Sequence, residues 1–179
     1  KPLECDVVIG GPPCQSFSLA GKRMGMDDPR GKLILEFARV VRDTLPKTFV
    51  LENVKGMANW AGGKAIDAVL NEFTDPILYD GKKYTYELSY KVLKASDYGA
   101  PQHRERLFIV GNRVGNKFVF PEPTHHNASE FSNDRFKSDL KPYATVKDAI
   151  LSLPSASPPS EIAQRISRTI KDRIEKHGY

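Results

Sequence analysis

Apolar and polar positions along the chain alternate between two kinds of run. CDVVIGG (5–11) and TFVLENV (48–54) are short, rich in β-branched residues and stopped by turn or polar residues. Such runs predict strands buried on both faces. RLFIVGNR (106–113) predicts a further strand, and TYELSYKVLKA (85–95) alternates as a strand with one wetter face does. KLILEFARVVRDTL (32–45) has apolar residues at 33, 34, 37, 38, 40, 41 and 45. That period predicts a helix, which Pro46 stops. GKAIDAVLNEF (63–73), apolar at 66, 69, 70 and 73, predicts a second helix. Residues 12–31, PPCQSFSLAGKRMGMDDPRG, have the composition of a loop.

The resulting order, β-α-β-α-β-β, implies an α/β fold with a mostly parallel sheet covered on both faces. The last two strands, joined by a short connection, form an antiparallel hairpin at one edge. The character changes near residue 115. Residues 1–115 read as one region, and 116–179 as the start of another, polar at first through FPEP and THHNAS. TVKDAILSLP (145–154) predicts a short helix. A last helix follows, with Ser160 as N-cap and Ile162, Ile166, Ile170 and Ile174 spaced by four. Its other face carries Arg165, Arg168, Lys171, Arg173 and Lys176, a solvated face or a nucleic-acid contact.

The 179 residues suffice for a domain with a real core, and no run is long and apolar enough for a membrane helix. The chain opens without Met, almost inside a strand, the layout expected of a piece of a longer domain. A net charge of +5 mildly favours polyanionic partners. Cys5 and Cys14 are the only cysteines. Extended chain between them should keep the sulfurs too far apart to bridge, and free thiols fit a reducing cytoplasm.

Chemistry-bearing residues gather where open α/β sheets place their sites, beyond the carboxyl ends of strands. Cys14 follows the first strand, Glu52 and Asn53 end the second, and Arg104 and Arg106 in QHRER precede the last. If that last strand runs antiparallel, its start lies beside the ends of the others. A thiol, a carboxylate and a guanidinium would then share one crevice.

In this order, GGPPCQSFS, DPRGKLILEFARVV, ENVKG and QHRERLFIVG resemble the motifs of the C5-cytosine DNA methyltransferases, which use S-adenosylmethionine. The resemblance covers roughly residues 4 to 112. It implies a Rossmann-like methyltransferase fold, incomplete at its N-terminal side because no Gly-x-Gly cofactor loop precedes Cys14. It makes Cys14 the nucleophile, Glu52 the carboxyl that holds the base and Arg106 the contact to the base carbonyl. Pro13, Gln15, Ser18, Asn53 and Arg104 become substrate-binding, and Pro12 and Leu33 cofactor-binding. The implied partner is double-stranded DNA, with transfer RNA as the alternative substrate. A cytoplasmic, monomeric enzyme of DNA methylation or restriction-modification is the expectation, with no metal. Residues 116–179 would begin the target-recognition region. The segment alone is expected to hold the cofactor weakly or not at all.

The residue types suit this chemistry. A thiolate adding at carbon 6 of cytosine makes carbon 5 nucleophilic, and sulfur can leave again afterwards. Charge developing on N3 and O2 calls for a carboxyl and an arginine. Donation to N3 needs a proton on Glu52, so a buried setting is expected for it. Extrusion of the base is the general habit of such enzymes. Rival readings explain less. An amino-methyltransferase would carry an aromatic residue where Cys14 stands. A cysteine hydrolase using His103 leaves Glu52 and Arg106 unexplained. A metal site at His125 and His126 lacks partners at ligand spacing. A catalytically incomplete, nucleic-acid-binding fragment is the non-enzymatic alternative.

Overall fold

Three of the four strands in the central sheet point the same way, and the reversed one makes the site possible. The computed structural model describes residues 5–13, 33–115, 117–127, 140–153 and 160–177. The chain divides into two compact units, Lys1–Thr145 and Val146–Tyr179. The contacts thus divide after Thr145, and the change in composition falls at residue 115.

The first unit is built on β1 (Val7–Gly10), α1 (Leu33–Thr44), β2 (Thr48–Val54), α2 (Lys55–Asn59), a 3-10 turn (Trp60–Gly63) and α3 (Lys64–Thr74). There follow β3 (Ile77–Tyr79), β4 (Lys82–Tyr84), β5 (Glu87–Lys94), a 3-10 turn (Ala95–Tyr98) and β6 (Glu105–Asn112). The sheet order is β1-β2-β6-β5. β1 and β2 are parallel, while β6 runs antiparallel to both β2 and β5. The β5–β6 hairpin lies at one edge, as expected, with β6 on its inner side. The strands and helices of this unit that were read from apolar periodicity all appear within two residues of their expected ends.

Alternation along the strands sorts the two faces of the sheet. Phe49, Leu51, Leu107 and Ile109 point into the core with Ile34, Phe37, Val41, Val69 and Phe73 from α1 and α3. Close packing here requires glycine in two places. A Cβ on Gly111 would lie 2.1 Å from the Phe49 ring, and one on Gly10 would lie 2.6 Å from Phe37. On the opposite face, Ser89 donates to the Phe118 carbonyl at 3.0 Å, so residues near 118 lie over the β5 side.

Val7 is 48% and Ile9 76% exposed. β1 is parallel as read, but it is an edge strand among the described residues, and nothing described lies over its second face. Its composition is that of a buried strand, and composition carries no information on what covers it.

α1 ends where Leu45 takes a left-handed conformation, φ 46°. Arg113, just after β6, holds this turn by donating to the Leu45 and Pro46 carbonyls, both at 2.8 Å. Tyr86 donates to the same Pro46 carbonyl at 2.6 Å. Burial pushes the Tyr86 hydroxyl up to about 12, against the opposing pull of nearby Arg113. The folded state therefore keeps this proton in a pH range where the unfolded chain has lost it. The contribution is fully present below about pH 10 and is lost as pH rises towards about 12, by roughly 2–3 kcal/mol. Urea melts near pH 9 and about pH 11.5 should show most of this decline, and Tyr86→Phe should flatten it by about 2 kcal/mol. An equal decline in both proteins would contradict the assignment.

β3 and β4 form a hairpin outside the periodic runs. Asp80 and Gly81, both at positive φ, make its two-residue turn. This Asp-Gly pair is a known hairpin signal that the apolar pattern did not bring out. β7 (His125–His126) and β8 (Lys141–Pro142) pair in parallel.

The second unit holds α4 (Val146–Ile150) and α5 (Glu161–His177). Ser160 caps α5 as expected, its hydroxyl accepting from the Ala163 amide at 3.2 Å. Ile162, Ile166, Ile170 and Ile174 are exposed along one side. No helix among the described residues is long and apolar enough to cross a membrane.

Candidate active site

The antiparallel placement of β6 brings its first residues beside the last of β2. In this register Val54 faces Arg106 and Glu52 faces Phe108. Glu52 and Arg106 are thus diagonal neighbours on one face of the sheet, within reach of each other's long side chains. Arg106 Nε meets Glu52 Oε1 at 2.9 Å. The pair is half-buried, with side-chain exposures of 23% for Arg106 and 35% for Glu52. Arg106 also donates through Nη1 to the Glu105 carbonyl at 2.8 Å, which fixes the plane of its guanidinium.

The loop leaving β1 runs over this pair. A Cβ on Gly11 would lie 3.2 Å from Glu52 Oε2, so glycine lets the chain pass close to the carboxylate. Pro13 is exposed and Pro12 half-buried. Cys14, Gln15 and Ser18, the sequence-derived candidates next along the loop, lie outside the described residues. The loop nevertheless leaves β1 towards them from directly beside Glu52.

Asn53 lies on the other side of the sheet from Glu52, since adjacent strand residues point to opposite faces. It is 2% exposed. Its Nδ2 donates to the Pro12 carbonyl at 3.3 Å, and its Oδ1 accepts from the Val54 amide at 2.7 Å. The side chain thus ties the end of β2 to the first proline of the loop. Lys55, which the sequence reading did not single out, places Nζ 2.8 Å from both oxygens of Glu105. That ion pair holds the acid between Arg104 and Arg106 away from the Glu52–Arg106 pair. Arg104 is exposed in the loop before β6, and Leu33 opens α1 with 41% of its surface accessible.

Pro12 and Leu33 are apolar and accessible. Chemically, the strand ends present a carboxylate and a guanidinium already bonded to each other. A planar ring with an acceptor and a donor on adjacent edge atoms could take up both.

A family model of C-5 cytosine-specific DNA methylase matches residues 1–178. Type II methyltransferase M.AquIA of Picosynechococcus sp. is 65% identical over 180 residues, covering all of this chain and 73% of that protein. Type II methyltransferase M1.HphI of Haemophilus parahaemolyticus is 45% identical over 122 residues, 67% of this chain and 31% of that one. Among solved structures, a prophage-encoded protein of E. coli described as a DNA modification methyltransferase superposes with a TM-score of 0.52 at 29% identity. That match covers 84% of this chain and 36% of that one.

Proposed function

The chain belongs to the C-5 cytosine-specific DNA methylase family, and on that premise we propose that the full-length protein methylates carbon 5 of cytosine in double-stranded DNA. The observation that carries this reading is the Glu52–Arg106 pair at the shared edge of β2 and β6, beside the loop that leads to Cys14. The relatives named Type II methyltransferases support a place in restriction-modification.

In this reading the extruded cytosine enters against the pair, and its edge replaces their mutual contact. Glu52, carrying a proton in the complex, donates to N3 and accepts from the exocyclic amine, while Arg106 donates to O2. Cys14 adds as a thiolate to carbon 6, and the electron pair of the 5,6 double bond makes carbon 5 the nucleophile. S-adenosylmethionine, when bound, supplies an electrophilic methyl group, and Pro12 and Leu33 would contact it. A water molecule then takes the proton from carbon 5, its electron pair restores the 5,6 double bond, and the bond to sulfur breaks to release Cys14 as a thiolate. Asn53, by holding Pro12, limits the loop's freedom ahead of Cys14, so less entropy is lost on reaching carbon 6. Pro13, Gln15, Ser18 and Arg104 would line the nucleotide.

The product identifies the reaction. Duplex DNA incubated with the full-length protein and S-adenosylmethionine, then digested to nucleosides, should contain 5-methylcytosine. N4-methylcytosine in its place would overturn the carbon-methylation reading. Methylation of transfer RNA with none of DNA would move the substrate to RNA.

A further inference from the structure

Ahead of Arg104 and Arg106 lies a group of polar and aromatic side chains that the chemistry above does not use. Asp97, in the turn Ala95–Tyr98, is held at two atoms. Its carbonyl accepts from the Thr124 amide at 2.9 Å, and its Oδ1 accepts from the Tyr143 hydroxyl at 2.5 Å. Between those points the circuit closes through backbone. Lys141 donates to the Thr124 carbonyl at 3.0 Å, and Tyr143 donates to the His126 carbonyl at 2.9 Å. Tyr143 also stands edge-on to the His103 ring, with centroids 5.6 Å apart. Lys94 Nζ lies 4.9 Å over the Tyr143 ring and 3.4 Å from its hydroxyl.

His103 is the residue before Arg104, and its Nδ1 bonds the buried Ser96 hydroxyl at 3.2 Å. The Arg104 carbonyl accepts from the Ala95 amide at 2.8 Å. Thus one residue, Tyr143, touches the turn at Asp97, the loop at His103 and the end of β5 at Lys94. It does so from a segment joined to β7 by residues 128–139. Tyr98, in the same turn, donates to the Pro121 carbonyl at 3.0 Å. The turn is therefore stitched to the downstream chain on both its sides, and none of these bonds is needed to pair the central sheet.

We propose that Tyr143 is a positioning residue that couples the downstream segment to the arginine-bearing start of β6. Its hydroxyl on Asp97 and its ring edge against His103 hold the loop that enters β6, and so set where Arg104 and Arg106 stand. The inference rests on the methyltransferase reading and adds to it a residue that positions the arginines of the base pocket. The tyrosine suits the role because one rigid side chain supplies both a ring face and a directed hydroxyl.

Tyr143→Ala and Tyr143→Phe in the full-length protein test it, with kcat and KM measured separately for DNA and cofactor. Tyr143→Ala should lower kcat by about tenfold or more, as a small misplacement of catalytic groups does, with cofactor KM within about twofold of the parent. Tyr143→Phe, which keeps the ring on His103 and loses the Asp97 link, should fall between. Asp97→Leu should match Tyr143→Phe, and Asp97→Asn, which keeps an acceptor, should restore most of kcat. A Tyr143→Ala protein with parental kcat per folded molecule and only a lower melting temperature would overturn the coupling and leave the methyltransferase reading standing. A parent that yields no 5-methylcytosine would remove that reading, and the coupling with it.

Discussion

Glu52→Ala in the full-length protein is expected to slow methyl transfer to cytosine by about 10²–10³-fold, the usual loss when one preorganised group facing developing charge is removed. Arg106→Ala should cost a similar factor. The two side chains bond each other at 2.9 Å in the free protein, and contact different atoms of the base in the proposed complex. Removing both should then cost more than removing either one. Arg106→Lys should not restore the rate. The guanidinium donates through Nε to Glu52 and through Nη1 to the Glu105 carbonyl, a fork that a single ammonium cannot reproduce. Single-turnover kinetics with labelled cofactor separate these effects from product release. A Glu52→Ala protein within about threefold of the parent would remove Glu52 from the transition state.

Cys14→Ser should lower methyl transfer beyond detection. The exchange of sulfur for oxygen changes little in volume. It replaces a nucleophile ionised in part near neutral pH with one that is almost wholly protonated there. Glu52 and Arg106 remain, so DNA binding should survive within a few-fold. This combination separates Cys14 from residues that only hold the substrate. Parental activity in Cys14→Ser would end the covalent mechanism, whatever the product.

Much of this arrangement was legible in the sequence for identifiable reasons. β2, β6, α1 and α3 were readable because their apolar residues recur at the period of the element and stop at turn formers. The pairing of Glu52 with Arg106 was reachable because both border strands, and an antiparallel final strand places their ends together. The Asp80-Gly81 hairpin was present as a dipeptide signal, but its strands are three residues each, too short for alternation to stand out. β7 and β8, two residues each, have no pattern to detect and are held by Thr124, His126 and Tyr143 bonds of long range.

The role of Asn53 shows the limit most clearly. Read from the motif alone, it stands with Glu52 at the substrate. Strand geometry sends neighbours to opposite faces, so Asn53 faces the core and reaches Pro12. Parity along the strand was available in the sequence. The partner was not, because the turn of the loop after Gly11 is a three-dimensional fact. Tyr143 illustrates the same limit at longer range, since its contacts at 97 and 103 are brought together only by the fold.

Covalent trapping tests the central claim most directly. A duplex containing 5-fluorocytosine at the target position is incubated with the full-length protein and S-adenosylmethionine, then resolved under denaturing conditions. Fluorine cannot leave carbon 5 as the proton does, so elimination stops with the enzyme attached. A stable protein–DNA adduct that maps to Cys14 and is missing in Cys14→Ser is the predicted result. Turnover of ordinary cytosine in DNA with no adduct on the fluorinated duplex, or an adduct that persists in Cys14→Ser, would contradict it.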